Sequence, residues 1–339
     1  MAEPGYRMIF SSAAFERYRQ MPAGKSGLPR LLAGVVIIAF CWLAVTGAVI
    51  VGGVYLDDIV GPWFGPGRLT FDGGSTVTRF LASPLGVVAT LLTFSGIWLG
   101  VWIAMRLLHR ETVSRLFGVS LRLSRPGFVN GLIAVLFTST LTEIGFYLLA
   151  PELDRGSVSL TVWLIVFVPI VLLAFIQTAS EEILFRGYLL RGLAARFRSP
   201  LVWAVLPALL FTLLHWNTGS APAMNIGVLA SIGGFAALLV ALVYATGNLG
   251  AAMGAHLGNN LFGFLFISHE NALSPFALYR GATLAGLPWT PGQAVAIVGM
   301  SIASILITLA LLLHPRSPLK VGPDTALSPG TRQADTPQP

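Results

Sequence analysis

Apolar residues gather along this chain into long runs, and the runs are broken by Gly, Pro and Arg. A helix that crosses a bilayer needs about 20 mostly apolar residues. Eight stretches fit or approach that pattern: 31–55, 81–105, 128–150, 160–194, 200–215, 224–246, 249–268 and 293–313. The fourth is long and contains Pro169, a candidate kink. Helix breakers mark the joints: Gly61-Pro62, Gly65-Pro66, Pro151, Ser199-Pro200, Pro288 and Pro291. From Pro315 the chain is rich in Pro, Ser and Thr, and a disordered tail is expected there. No internal repeat is visible. The pattern predicts an all-α, polytopic membrane helical bundle of about eight transmembrane helices. A segment 1–30 precedes its membrane domain, 31–313, and a tail 314–339 follows it.

Composition agrees with the pattern. Of 339 residues, 55% are hydrophobic and only 10% are charged, against about 25% charged in soluble domains. That excludes an ordinary soluble enzyme, a disordered protein and a nucleic-acid binder. The lone Cys41 allows neither an intrachain disulfide nor a cysteine-based metal site. The first 20 residues lack a compact apolar core followed by a cleavage site, so no signal peptide is expected and uncleaved helices direct insertion.

The net charge of +7 is explained by topology. With the N-terminus inside, 17 Lys and Arg fall on the cytoplasmic side and 4 (Arg68, Arg79, Arg155 and Arg280) on the other. This asymmetry predicts a multi-pass protein of a bacterial plasma membrane with both termini cytoplasmic. Trp42, Trp98, Trp102, Trp163 and Trp203 read as packing or membrane-belt residues rather than a binding box.

Ionisable groups inside a bilayer cost roughly 2.5–3.5 kcal/mol each on insertion scales, so the exceptions stand out. They are Glu143 in the third run; Glu181, Glu182 and Arg186 in the fourth; His215 ending the fifth; and His256 with Asn259 and Asn260 in the seventh. Glu182 and Arg186, four apart, share a helix face and can pair. Glu181 is rotated about 100° from Glu182. It has no cation nearby in sequence, which suits it to proton transfer. The alternative is that both acids serve Arg186 structurally. Phe211 stacks one turn from His215, and His256 and Asn260 share a face. Gly250, Gly254 and Gly258 form a stripe on roughly the opposite face, as close helix packing requires.

The fourth and fifth runs form a hairpin about residues 196–199, and each arm places Glu181 or His215 about 22 Å from the turn. A carboxylate and an imidazole at matching depth suit water attack on a carbonyl. Glu181 takes the proton, His215 orients the water and can protonate the leaving amine, and His256 with Asn260 donates to the oxyanion. Polar residues as interhelical glue are the plainer reading.

Glu-Glu-x-x-x-Arg at 181–186, Phe-x-x-x-His at 211–215 and His-x-x-x-Asn at 256–260 resemble, in that order, the motifs of the type II CAAX prenyl endopeptidases. They equally resemble the bacterial relatives of those enzymes, the CPBP or Abi intramembrane proteases. The resemblance covers about residues 128–268. It implies a bundle around a buried catalytic cavity. It also implies a peptide hydrolase with Glu181, His215, His256 and Asn260 as catalytic residues and Glu182, Arg186 and Phe211 in support. The implied partners are the lipid bilayer and a membrane protein or lipidated peptide as substrate.

The family is often called metalloprotease, and Zn2+ held by Glu181, His215 and His256 is the alternative to a metal-free site. No His-Glu-x-x-His is present, since His269-Glu270 is followed by Asn271-Ala272-Leu273, and Glu182 is committed to Arg186. No cofactor is therefore expected. Competing functions are a non-catalytic scaffold or immunity protein of the same fold, and a proton-coupled transporter. The latter would show repeated halves and broken helices. His256, seven positions into its run, predicts a cavity opening toward the cytoplasm, with the Glu/His pair towards its floor.

Overall fold

The computed structural model describes residues 13–20, 27–60, 76–216, 222–269, 275–283 and 290–325. The breakers at 61–62, 65–66 and 288 and the tail from 326 lie outside them. A short α1 (Ala13–Tyr18) precedes the long helices. These are α2 (Leu28–Val60), α3 (Pro84–His109), α4 (Arg125–Leu149), α5 (Leu160–Ala194), α6 (Leu201–Leu213), α7 (Pro222–Thr246), α8 (Gly250–Leu261) and α9 (Pro291–Leu313). A π-helical turn, Phe262–Phe266, prolongs α8.

Each expected run has its helix. Six are long and apolar enough to cross a membrane. The fifth, α6, has 13 residues and rises only about 20 Å. Large apolar side chains such as Phe40 and Leu148 point outward, as lipid-facing helices require. The protein is thus an all-α helical bundle of the membrane type. A small sheet adds to the expected fold. β1 (Leu153–Arg155) pairs antiparallel with β3 (Tyr279–Gly281), and β2 (Ile267–Ser268) pairs parallel with β3. It joins the chain after α4, after α8 and before α9 at one end of the bundle.

The glycine stripe packs α8 on α4 as expected. A Cβ on Gly250, Gly254 or Gly258 would meet the carbonyl oxygens of Ser124, Phe128 and Leu132 respectively. Both series advance by four residues, so the two backbones touch along one ridge. All of α8 from Gly250 to Gly258 is buried as a result.

At the opposite end α1 packs against the bundle. Phe15 packs on Trp203 and Tyr244, at 4.8 and 5.1 Å between ring centres. The Tyr18 hydroxyl donates to Leu116 O at 2.7 Å, and burial pushes this phenol up, so it stays a donor. Arg191 Nε donates to Tyr18 O at 2.7 Å. Gly247 turns the chain between α7 and α8 with φ 64°, a left-handed conformation that glycine tolerates.

The expected tail begins later than Pro315. Val321 N donates to Leu312 O at 2.8 Å, folding residues 314–325 back onto the bundle. Asp324 Oδ2 accepts from Ser120 N, Ser120 Oγ and Asn248 Nδ2 at 2.9–3.0 Å. A Pro- and Ser-rich composition there reflects turns, and one buried-end carboxylate anchors them. The expected belt tryptophans do pack: Trp98 and Trp163, for example, donate to Ile176 O and Leu265 O.

Candidate active site

The site is built from the middle of α5. Thr178, Ala179 and Ser180 are small and fully buried, which lets neighbouring helices approach the two glutamates that follow. After Glu182 the helix widens to π geometry over Ile183–Leu190. Such bulges recur at functional sites. Arg186 NH1 donates to Glu182 Oε1 at 2.9 Å, with the two side chains 1% and 0% exposed. The pairing expected from their spacing is present. The same guanidinium donates to Ala236 O of α7 and lies 4.7 Å over the Phe211 ring. Phe211 therefore faces a cation as well as His215, whose ring centre is 4.7 Å away.

Glu181 has its neighbour across the bundle rather than along the chain. His256 stands between the two glutamates, with Nδ1 2.8 Å from Glu182 Oε1 and Nε2 3.4 Å from Glu181 Oε2. Phe211 and Phe235 meet the imidazole edge-on at 5.8 and 5.9 Å. Both ring nitrogens face carboxylates, so the expected oxyanion role competes with these contacts. The chemistry of the cluster follows from charge. With both glutamates ionised, His256 must be imidazolium. With a neutral imidazole, Glu181 must carry the proton. Either arrangement leaves Glu181, Glu182, His256 and Arg186 neutral in sum, which burial demands.

Asn260, one turn beyond His256, donates through Nδ2 to Gln177 Oε1 at 3.0 Å. Gln177 stands one turn before Glu181 on the same face of α5. Sequence reasoning missed Gln177 because it weighed ionisable groups; a lone amide one turn before Glu181 in so apolar a run was the available signal. The second Nδ2 hydrogen of Asn260 is not used by Gln177, and the residue lines the cavity.

His215 is placed differently from the expectation. No hydrogen bond or ion pair joins it to Glu181 among the described residues. α6 ends at Leu213, and His215 Nδ1 turns back onto Phe211 O at 2.8 Å. A carbonyl only accepts, so Nδ1 carries the proton and Nε2 is left with its lone pair. The ring lines the same cavity as His256 and Asn260. The matched depths on the two arms were a fair guide to that cavity and not to a direct contact.

The cavity has a volume of about 530 Å3. It also takes in the two residues whose roles the motifs leave open. Glu143 Oε2 and Oε1 lie 3.0 and 3.2 Å from His269 Nε2, and His269 Nδ1 lies 2.8 Å from Ala282 O. Glu143 therefore ties α4 to the segment that follows β2. Along α8 and the segment after it, the lining residues run from His256 to His269.

A metal ion would need several ligands to converge. Among the described residues, no three His, Cys, Asp or Glu side chains do so. His256 is engaged by Glu181 and Glu182, His215 is turned to Phe211, and the Arg186 cation adjoins the cluster. The donor set proposed for Zn2+ does not fit as a shell.

Comparison with known proteins bears on the segment that carries these residues. Residues 158–262 match the family model described as type II CAAX prenyl endopeptidase Rce1-like. That range contains all three motifs, so the resemblance drawn from them is shown. Uncharacterized protein YyaK of Bacillus subtilis (strain 168) is 25% identical over 299 residues, covering 83% of this chain and 93% of its own length. No solved structure matches.

Proposed function

We propose that this chain is an intramembrane endopeptidase, which cleaves a peptide bond of a membrane-associated substrate with water activated by glutamate and histidine. The Rce1-like match supports protease activity of the CAAX type in general. The observation that carries the reading is the neutral cluster of Glu181, Glu182, His256 and Arg186 beside a polar cavity within an apolar bundle. A bundle with no chemistry to perform gains little from four ionisable groups there.

In this reading Glu181 accepts a proton from water as the water oxygen attacks the carbonyl carbon. His256 holds the carboxylate in place, while Glu182 and Arg186 hold His256. The second Nδ2 hydrogen of Asn260 donates to the oxyanion. Nε2 of His215 accepts a hydrogen bond from the water, takes the water's second proton as the oxyanion collapses and the C–N bond breaks, and passes it to the leaving amine, so that the other product is a carboxylate. No metal is required. The protein sits in the plasma membrane of a bacterium with its basic end in the cytoplasm.

The test is cleavage of a membrane-peptide library by the purified protein, with Glu181→Gln as control. Products from the wild type and none from a folded Glu181→Gln protein are expected. Equal cleavage by the two would remove Glu181 from the chemistry.

A further inference from the structure

Fixed N–H groups must face the oxyanion that forms when water adds to a carbonyl. Asn260 offers one through the second hydrogen of Nδ2. His256 does not offer another, since its Nδ1 is 2.8 Å from Glu182 Oε1 and its Nε2 is 3.4 Å from Glu181 Oε2. His215 gives its Nδ1 hydrogen to Phe211 O. The hydroxyls of Thr142, Ser231 and Ser301 belong to residues of the cavity wall, but each donates to a carbonyl four residues back on its own helix.

Gln177 has the chemistry and the place of a second donor. It lines the same cavity from α5, one turn before Glu181. The direction of its amide follows from a chain of three. Asn259 Nδ2 donates to Asn260 Oδ1 at 3.2 Å, so Asn260 presents Nδ2 to Gln177, whose Oε1 accepts at 3.0 Å. Nε2 of Gln177 carries two hydrogens, and the Glu181 carboxylate can take no more than one of them. Covalent geometry sets the oxygen and nitrogen of one amide about 2.3 Å apart, so Gln177 Nε2 lies within about 5.3 Å of Asn260 Nδ2. Donors that share one oxygen each lie roughly 2.7–3.1 Å from it, and so no more than about 6 Å from one another. The two amide nitrogens meet that limit.

We propose, building on the protease reading, that Gln177 is a catalytic residue: its Nε2 and Asn260 Nδ2 together hold the oxyanion, and Asn259 fixes the direction of both amides. His256 then serves the two glutamates and not the oxyanion. As the water oxygen bonds to the carbonyl carbon, the C=O π pair moves onto oxygen, and the two N–H groups face that charge. When the pair returns, the C–N bond breaks and the amine leaves with the proton that His215 passes to it. No proton moves to or from either amide. Neutral donors also suit the surroundings. An imidazolium turned to the oxyanion would leave the buried carboxylates, whereas two amides add no charge to a tetrad that is neutral without them.

The test compares Gln177→Met and Gln177→Glu with the wild type, each as the full-length protein in detergent. Gln177→Met keeps the length and removes both polar ends; Gln177→Glu keeps an acceptor for Asn260 and removes the donor. Two assays are read: cleavage of the membrane-peptide library, and binding of apolar phosphonamidate peptides, whose anionic P–O stands for the oxyanion. In both variants kcat is expected to fall about 100- to 1,000-fold, the loss typical of one oxyanion donor, with KM and melting temperature unchanged. Phosphonamidate affinity should fall by a similar factor. A wild-type kcat in both variants would overturn the proposal and leave the protease reading standing. A loss in Gln177→Met with a wild-type kcat in Gln177→Glu would also overturn it, because Gln177 would then only orient Asn260. If the wild type cleaves nothing yet binds phosphonamidates, and both variants weaken that binding, the oxyanion assignment holds and the protease reading falls. No cleavage and no binding sensitive to Gln177 would sink both.

Discussion

Glu181 and Glu182 are adjacent in sequence and chemically alike, yet they should respond in opposite ways to the same substitution. Glu182 Oε1 accepts from Arg186 at 2.9 Å and faces His256 Nδ1 at 2.8 Å, with no exposure. Glu182→Gln keeps the shape and removes the charge, which weakens two charge-assisted hydrogen bonds and strands a buried guanidinium. Breaking a buried pair by neutralising one partner costs about 3–5 kcal/mol. Two such bonds at about 1.5–3 kcal/mol each reach the same range. Glu181 can ionise in compensation, but it has no contact with the guanidinium. In a chain of this size the loss corresponds to a fall in melting temperature of roughly 5–10 °C. Glu181 Oε2, by contrast, has no hydrogen-bond partner and lies 3.4 Å from the imidazole. Glu181→Gln should therefore change the melting temperature by no more than about 1 kcal/mol implies while stopping cleavage. Thermal unfolding in detergent reads the difference directly. In the double variant Glu182→Gln with Arg186→Met, stability should return, because the stranded cation is gone. Refutation would be a Glu182→Gln protein that melts with the wild type but does not cleave, since that would make Glu182 the catalytic acid.

Two further outcomes are expected. Gly254→Val would drive a side chain into the Phe128 carbonyl on α4, lift α8 and carry His256 away from Glu182; melting temperature and cleavage should fall together, and a variant that keeps both would deny that the stripe sets the site. Removing divalent metal with a chelator should leave cleavage intact, whereas stoichiometric Zn2+ in the purified protein, with activity lost on extraction and restored on re-addition, would show that the neutral cluster is not the whole of the chemistry.

The fold was legible because lipid simplifies the reading. Runs of apolar residues mark helices whatever their neighbours, and all eight runs have helices. Pairs within one helix were equally legible: Glu182 with Arg186 and Phe211 with His215 follow from a spacing of four. Contacts between helices were not. Nothing local to Glu181 indicates that His256, 75 residues on, stands beside it in preference to His215. Nor does spacing tell that His269 would meet Glu143 across 126 residues. Composition misread residues 314–325, since the bonds of one carboxylate, Asp324, decide their order.

The glycine stripe supplies the link that sequence spacing could not. Gly250, Gly254 and Gly258 let α8 rest its backbone on α4, which fixes the rotation of α8 as well as its distance. His256 and Asn260 are then turned off that contact, the former to Glu182 and the latter to Gln177. The buried charge on α5 fixes the same arrangement from the other side. An Arg186–Glu182 pair alone would be neutral and would leave Glu181 with nothing to stabilise its ionised form in a region without water. An imidazole delivered between the glutamates lets the charge of Glu181 be balanced within the tetrad. Helix packing and proton chemistry are therefore one constraint at this site. A substitution that shifts α8 by a side chain's width acts on catalysis through the distance between His256 Nε2 and Glu181.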